Sequence, residues 1–187
     1  MPAPRRIHFA GGPWSGKTTA ARRVGATLGL PVFHLDYEWL DTAASAHLDD
    51  EATLAVMADR VEEYARGDAW MSEGAFIGWV TPLLQRADLI VWLQVSRPVA
   101  GYRVLRRHLQ AELRGDNPFP GWRKFYRFWR WTDRFYTNTN PPGLNPWGTP
   151  NTLATLTTVL AAYGDKVVAC RSVEDEALTG RLQEEPA

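Results

Sequence analysis

The segment Gly11-Gly12-Pro13-Trp14-Ser15-Gly16-Lys17-Thr18 matches the phosphate-binding loop pattern G-x-x-x-x-G-K-[ST] at every fixed position. Two of its glycines permit backbone angles that a β-carbon disfavours, so this P-loop can wrap a polyphosphate and direct successive backbone N–H groups at it. We expect Lys17 to reach the β- and γ-phosphates and the Thr18 hydroxyl to bind Mg²⁺. The predicted nucleotide-binding residues are Gly11, Gly12, Pro13, Trp14, Ser15, Gly16, Lys17, Thr18 and Thr19.

The residues on either side of the P-loop provide the structural context that this motif requires. The apolar run at residues 7–10 predicts a short buried strand that leads into the glycines. Residues 18–28 predict a helix, since apolar residues from Ala20 to Leu28 recur at helical spacing and Gly29 suits a C-terminal cap. The N-terminus of this helix would add its free N–H groups and its dipole to the attraction for phosphate.

The composition describes a globular chain of one domain. The 187 residues are 45% hydrophobic and 22% charged, and the formal net charge is zero, so total charge favours no particular partner. Cys170 is the only cysteine, which excludes an internal disulfide and favours a reducing compartment. Since no stretch is long and apolar enough for a signal peptide or a membrane span, we expect a cytoplasmic protein.

Short apolar runs alternate with helical patterns along most of the chain. Further strands are predicted at residues 32–36, 69–72, 89–95 and 166–170, and further helices at residues 50–66, 98–113, 151–163 and 173–182. This alternation predicts an α/β fold with a parallel sheet covered by helices on both faces. Ligands of such folds bind at the carboxyl ends of the strands, the edge that carries the P-loop, Asp36, Glu73 and Arg97.

The stretch from about residue 110 to 150 departs from this alternation, and we interpret it as an insertion or lid within a single domain formed by residues 1–187. Residues 122–136 predict a helix that is crowded with aromatic side chains. It also carries a stripe of four arginines on one side, which we call the arginine stripe: Arg123, Arg127, Arg130 and Arg134. Three interpretations of this helix stay open. It could pack with its arginines in water, form a lid or acceptor wall that clamps phosphate and stacks a ring, or bind nucleic acid.

Four segments share a pattern with one known family: the P-loop, His34-Leu35-Asp36, Trp70-Met71-Ser72-Glu73-Gly74 and the arginine-rich helix after Pro98. Together they resemble the adenylate-kinase-like P-loop kinases, and most of all the bacterial branch labelled "DNA topology modulation protein". The resemblance covers nearly the whole chain. It implies a three-layer P-loop NTPase fold with a five-stranded parallel sheet and a helical, arginine-bearing lid that closes over the nucleotide.

The stretch after the third predicted strand differs from the family pattern. Adenylate kinases carry Asp-Gly-Phe-Pro-Arg there, and that arginine helps to hold the acceptor nucleotide. This chain has Glu73-Gly74-Ala75-Phe76-Ile77, which keeps a carboxylate and the glycine but lacks the arginine. AMP is therefore not the favoured acceptor.

The resemblance also implies roles for individual side chains beside the P-loop. Glu73 would hold the hydration shell of Mg²⁺, and Asp36 would face the acceptor and orient or deprotonate its hydroxyl. Arg103, Arg106 and Arg107 would reach the transferring phosphates and stabilise their charge. The structural alternatives are a solvated turn for Glu73, a helix cap for Asp36 and a solvated helix face for the arginines.

These features predict an ATP-dependent phosphotransferase that acts on a small molecule or a nucleotide, with ATP and Mg²⁺ bound at the P-loop. Its predicted catalytic residues are Lys17, Asp36, Glu73, Arg103 and Arg107. The alternative is a nucleotide-dependent nucleic-acid-binding or regulatory protein that uses ATP as a switch.

Overall fold

The computed structural model describes residues 3–47, 49–75, 77–117, 120–140 and 150–183, and within them five strands form one parallel sheet. The strands lie in the order β2-β3-β1-β4-β5, which confirms the predicted α/β fold with a five-stranded parallel sheet. Their bounds are Arg6–Gly11 for β1, Val32–His34 for β2, Trp70–Glu73 for β3, Leu89–Leu93 for β4 and Val167–Cys170 for β5.

Helices cover both faces of this sheet. Their bounds are Lys17–Leu28 for α1, Leu35–Ser45 for α2, Asp50–Arg66 for α3, Thr81–Arg86 for α4, Arg97–Arg114 for α5, Trp122–Tyr136 for α6, Leu153–Ala161 for α7 and Glu176–Leu182 for α8. A 3₁₀ turn at Gly164–Lys166 precedes β5. Within the described ranges, no helix combines the length and the apolar character that crossing a membrane requires.

Side chains of the central strand β1 enter two separate cores. Ile7 and Phe9 are fully buried on the face that α1 and α8 cover, where they pack in one cluster with Leu178. Ala10 belongs to the cluster on the other face, together with Leu35 and residues of α3, α4 and α7. The alternation of strand side chains therefore produces the three layers, with β1 and its P-loop at the centre of the sheet.

The prediction of a strand at residues 32–36 is wrong at its carboxyl end. β2 ends at His34, and α2 begins immediately with Leu35. Leu35 is fully buried in the core, directly after the short edge strand β2, which pairs with β3. Asp36 therefore lies in the first turn of a helix, where a carboxylate interacts favourably with the helix dipole.

The sequence patterns do not predict α4, and they offer α2 only as the helix that Asp36 would cap in the alternative interpretation of that residue. α2 follows a strand with no turn residue between them, and α4 is only six residues long, with Pro82 in its first turn. Four other predicted elements are shorter in the structure, where they begin later or end earlier: those predicted at residues 89–95, 151–163, 166–170 and 173–182.

α6 has the bounds that the sequence predicts for residues 122–136. It packs along α5, and Arg97 Nε forms a salt bridge with Asp133 Oδ1 at 2.6 Å. Residues 118–119 and 141–149 of the predicted insertion lie outside the described residues. The interpretation of residues 110–150 as a lid stays a prediction.

Gly25 and Gly180 provide a matched pair for testing how closely α1 packs on the sheet. A Cβ at Gly25 would lie 2.4 Å from Val32 Cγ2, whereas one at Gly180 in α8 would meet no atom within 4 Å. We expect Gly25→Ala to lower the free energy of unfolding by about 1–3 kcal/mol through overpacking. Gly180→Ala should raise it by about 0.5–1 kcal/mol, because alanine loses less conformational entropy in a helix. Urea unfolding measures both, and a Gly25→Ala protein as stable as wild type would contradict this packing.

Candidate active site

A cleft of about 940 Å³ opens at the carboxyl end of the sheet, where the sequence predicts ligands to bind. Side chains of α1, α2, α5 and α6 and residues 171–174 after β5 line it around the P-loop. The predicted site residues in its lining are Pro13, Trp14, Ser15, Gly16, Lys17, Thr18, Thr19, Asp36, Arg103 and Arg107. Gly11, Gly12 and Glu73 are buried next to them.

The P-loop adopts backbone angles that its glycines make possible. Gly11 and Gly16 have φ angles of 151° and 101°, in the region that favours glycine. A Cβ at Gly11 would lie 2.6 Å from the carbonyl oxygen of Leu93, so a larger residue there would displace β4. Trp14 has a φ of 62°, which is uncommon for a residue with a side chain and typical of backbone strain at functional sites.

Lys17 is buried, with its ammonium group held inside the P-loop. Its Nζ donates a hydrogen bond to the carbonyl oxygen of Gly12 at 3.0 Å. Burial lowers the pKa of Lys17, and the carboxylates of Asp36 and Glu73 oppose this shift because they favour the charged form. The three groups therefore interact electrostatically as one cluster at the centre of the site.

Glu73 ends β3 and is fully buried. Its Oε1 accepts hydrogen bonds from the Thr18 hydroxyl at 3.0 Å and from His34 Nδ1 at 2.8 Å. The imidazole donates from Nδ1 because its Nε2 accepts from the Arg22 guanidinium at 3.3 Å, and a guanidinium only donates. His34, for which the sequence predicts no catalytic role, therefore orients the Glu73 carboxylate.

The Thr18–Glu73 pair fits the Mg²⁺ ion that the P-loop pattern predicts. Mg²⁺ binds hard oxygen ligands, and a hydroxyl and a carboxylate lie side by side here. The other carboxylate oxygen of Glu73, Oε2, is buried and has no hydrogen-bond partner among the described residues. A buried, unpaired carboxylate oxygen is costly, so this atom is suited to bind a cation or its water.

Asp36 lines the same cleft from the first turn of α2. Its Oδ1 accepts a hydrogen bond from the Ala75 N–H at 2.9 Å, two residues after β3 ends. Burial raises the pKa of Asp36; Lys17 opposes this rise, and the negative charge of Glu73 adds to it. A carboxyl group with a raised pKa is a stronger proton acceptor at neutral pH than an ordinary aspartate.

The predicted arginines of α5 lie in the cleft, and two of them contact the P-loop. Arg103 Nη1 donates to the carbonyl oxygens of Trp14 and Ser15 at 3.1 and 2.9 Å. The Arg107 guanidinium lies over the Trp14 ring, 4.9 Å from its centroid, in a cation–π contact. Arg106 also lines the cleft. The structure thus brings all three arginines to the cleft, and two of them, Arg103 and Arg107, contact the P-loop.

The aromatic side of α6 meets the cleft. Phe128 and Trp131 both line it, with their rings stacked 5.9 Å apart, and Phe128 contacts the Trp14 ring edge-on at 5.8 Å. Three residues of the arginine stripe are exposed to solvent, and none of its four members, all of them described, lines the cleft. An aromatic wall therefore fits the structure, and a phosphate clamp made by the arginine stripe does not.

Several contacts of the cleft have no signal in the sequence. The Tyr136 hydroxyl, at the end of α6, donates to the Pro13 carbonyl oxygen at 2.9 Å. Tyr37, Trp39 and Leu40 line the cleft from α2. Because neither the helix α2 nor the packing of α6 on the P-loop follows from periodicity, only the tertiary structure assigns these residues to the site.

Comparisons with known proteins agree with this fold. No protein-family model matches the sequence, and neither does any curated protein. A shikimate kinase from Bacteroides thetaiotaomicron is 16% identical with a TM-score of 0.51, over 97% of this chain and 95% of that chain. Two other solved structures have lower TM-scores. A shikimate kinase from Acinetobacter baumannii in complex with shikimate is 13% identical with a TM-score of 0.49, over 95% of this chain and 89% of that chain. A gluconokinase from Sinorhizobium meliloti 1021 is 16% identical with a TM-score of 0.46, over 97% of this chain and 91% of that chain. The chain therefore has the α/β fold of the P-loop kinases.

The raised pKa of Asp36 makes the stability of the protein depend on pH. A carboxyl group whose pKa in the folded protein lies above its ordinary 3.8 stabilises the fold when it is protonated, and this stabilisation is complete below about pH 3.8. It is lost as the pH rises through the pKa of the folded state. We therefore expect Asp36→Asn to be more stable than wild type at about pH 7, with the difference shrinking as the pH falls toward about 4. Urea unfolding across this range measures it, with the exposed Asp116→Asn as the matched control. If the free energy of unfolding of Asp36→Asn depended on pH as that of the wild-type protein does, the raised pKa of Asp36 would be contradicted.

Proposed function

We propose that this protein is an ATP-dependent phosphotransferase of the adenylate-kinase-like P-loop type, which transfers the γ-phosphate to a hydroxyl of a small molecule or nucleotide. The observation that carries this proposal is that Lys17, Thr18 and Asp36 line one cleft, with Glu73 buried directly behind it and bonded to the Thr18 hydroxyl. A P-loop alone suits any nucleotide-binding protein. A carboxyl group of raised pKa in the same cleft adds a proton acceptor for a second substrate.

The P-loop side of the cleft would bind the nucleotide. Lys17 and the loop N–H groups would hold the β- and γ-phosphates, while Thr18 and Glu73 would hold Mg²⁺ and its water. Bound Mg²⁺ neutralises phosphate charge and orients the oxygens of the leaving group. Arg103 and Arg107 lie beside the loop, where a guanidinium stabilises charge on the transferring phosphoryl group.

Asp36 would act on the acceptor. The Ala75 N–H donates to Oδ1, so we assign proton acceptance to Oδ2. The acceptor oxygen attacks the γ-phosphorus and gives its proton to Asp36. The bond from the γ-phosphorus to the β,γ-bridging oxygen breaks, ADP leaves with that electron pair, and a phosphate ester forms. The rings of Phe128 and Trp131 would limit the access of water to the transferring group.

A second candidate function rests on the outer face of α6. Arg123, Arg127 and Arg130 are exposed there, and Lys124 is exposed beside them. A nucleotide-dependent nucleic-acid-binding protein would bind phosphates with such a surface. Of the two candidate functions, only this one requires the protein to bind nucleic acid, with an affinity that falls steeply as the salt concentration rises.

Lys17→Ala tests the nucleotide site. Charge-assisted hydrogen bonds contribute about 1.5–3 kcal/mol each, so ATP binding should weaken about tenfold or more and transfer should be lost. Calorimetric titration with MgATP measures the affinity, and the exposed Lys124→Ala is the charge-matched control that should bind as wild type does. Unchanged ATP affinity in Lys17→Ala would exclude this site. Salt-sensitive nucleic-acid binding that survives Lys17→Ala would favour the second candidate function.

Asp36→Asn tests the role assigned to the acceptor side. The substitution keeps the shape of the side chain and removes its proton acceptor, so acceptor-dependent ADP formation should fall by about 10²–10⁴. ATP affinity should stay near the wild-type value, because the amide oxygen can still accept from the Ala75 N–H. If ATP affinity collapsed instead, Asp36 would belong to the metal site.

A further inference from the structure

One part of the P-loop has a conformation that the motif does not explain. Residues 12–15 form a β-turn, which we call the P-loop turn, closed by a hydrogen bond of 3.2 Å from the Ser15 N–H to the Gly12 carbonyl oxygen. Pro13 and Trp14 are its central residues, and Trp14 has a φ of 62°. A turn with a positive φ at the second central position usually has glycine or asparagine there. The P-loop turn therefore contains a strained residue, and such strain persists only where surrounding contacts impose it.

Side chains of α5 and α6 hold the carbonyl groups of the P-loop turn. The Tyr136 hydroxyl donates to the Pro13 carbonyl oxygen at 2.9 Å, and Arg103 Nη1 donates to the next two carbonyl oxygens at 3.1 and 2.9 Å. Burial raises the pKa of the Tyr136 hydroxyl above its ordinary 10, so this group keeps its proton and donates throughout the neutral pH range. Three successive peptide groups are therefore held by side chains from outside the loop.

Holding these carbonyl groups also fixes the direction of N–H groups. No cis peptide bond occurs among the described residues. In a planar trans peptide, the C=O group and the N–H group of the next residue point in opposite directions. The Ser15 N–H closes the turn, so the N–H groups of Trp14 and Gly16 are the two that can face a phosphate. Their direction is set by the Pro13 and Ser15 carbonyl groups, the first of which Tyr136 holds.

Gly12 shows how closely α6 packs on the P-loop turn. The P-loop pattern allows any residue at this position, and the φ angle of Gly12 lies outside the range that favours glycine. A Cβ here would nevertheless lie 2.6 Å from Phe135 Cε1 and 2.7 Å from Tyr136 Oη, both in the last turn of α6. Phe135 is fully buried and has little room to move away. The contact with α6 thus accounts for a glycine that the motif does not require.

The P-loop turn also holds the lysine of the site. The Gly12 carbonyl oxygen accepts from Lys17 Nζ at 3.0 Å as well as from the Ser15 N–H. The last turn of α6 contacts residues 12 and 13. Its position therefore affects both the N–H groups and the ammonium group that would bind phosphate.

We propose that Tyr136 is a positioning residue of the phosphate site. Its hydroxyl holds the strained P-loop turn in the conformation that binds a polyphosphate, so nucleotide affinity depends on the contact of α6 with the loop. This inference rests on the proposed phosphotransferase function and concerns its nucleotide site. Tyr136 does not line the cleft, and it acts through the peptide groups of Gly12 and Pro13.

Tyr136→Phe removes only the hydroxyl and tests this role. Calorimetric titration should show affinities for MgATP and for magnesium tripolyphosphate that are both about two- to tenfold lower than in wild type, because one hydrogen bond that orients the phosphate site is lost. Tyr126→Phe is the matched control, since Tyr126 is 54% exposed on the same helix and does not line the cleft. It should bind both ligands as wild type does.

Urea unfolding of the two variants separates this role from a purely structural one, because a loss of stability alone leaves the affinity of the folded protein unchanged. Wild-type affinity for both ligands in Tyr136→Phe would overturn the proposal. A loss for MgATP without a loss for tripolyphosphate would also overturn it, because Tyr136 would then act on the nucleoside and not on the phosphates.

Gly12→Ala tests the same contact from the loop. The added Cβ should displace the last turn of α6, so MgATP affinity should fall at least as far as in Tyr136→Phe. Adding Tyr136→Phe to Gly12→Ala should then cause little further loss, because the contact is already broken, whereas independent effects would multiply. Gly180→Ala, whose added Cβ meets no atom within 4 Å, is the control that should bind MgATP as wild type does. Losses that multiply in the double variant would overturn the proposal.

The positioning role and the proposed function fail in different ways. If MgATP binding depends on Lys17 but Tyr136→Phe binds as tightly as wild type, the positioning role is wrong and the phosphotransferase proposal is unaffected. If MgATP binding does not depend on Lys17, the nucleotide site is wrong, and both proposals are overturned.

Discussion

The site depends on one buried carboxylate, that of Glu73. It has no exposure to solvent, so its charge has to be balanced by groups that the fold brings to it. Parallel pairing sets His34 opposite Glu73 on β2 and Phe9 opposite Glu73 on β1, and the P-loop leaves β1 two residues later. The sheet register therefore delivers the imidazole, the Thr18 hydroxyl and the Lys17 ammonium to the same carboxylate. A slip of one residue in the β2–β3 pairing would remove the imidazole, and a slip in the β1–β3 pairing would remove the Thr18 and Lys17 groups.

The P-loop is held from its carbonyl side by two helices that follow much later in the chain. Tyr136 of α6 donates to Pro13, and Arg103 of α5 donates to Trp14 and Ser15, so three successive loop carbonyls bind side chains. The Arg97–Asp133 salt bridge joins the two helices to each other. The position of α6, with the aromatic side chains that it places in the cleft, is therefore coupled to the conformation of the phosphate-binding loop. A shift of α6 relative to α5 would alter the conformation of the P-loop as well as the width of the cleft.

The parts of this structure that follow from the sequence are those with local signals. The P-loop, the flanking strand and helix and the five parallel strands all arise from short apolar runs, helical periodicity and glycine positions. Asp36 is an example of what local signals do not give. The sequence pattern through residue 36 is typical of a strand, but in the structure a helix begins at Leu35, which is buried in the core. α6 shows the same limit. Its sequence places the arginines on one side of the helix and the aromatic residues on the others. Which side faces the cleft depends on how α6 packs against α5, and helical periodicity carries no information about that tertiary contact.

The charges of the site explain why nucleotide binding calls for a metal ion. Lys17 is a buried cation beside the carboxyl groups of Asp36 and Glu73, whose negative charge favours its protonated form. A triphosphate adds several negative charges to this centre. Arg106 and Arg107 line the cleft and can meet part of that charge, whereas Arg103 already donates to two carbonyl oxygens of the P-loop. A divalent cation held by Thr18 and Glu73 would add positive charge at the buried Glu73 oxygen that has no partner among the described residues.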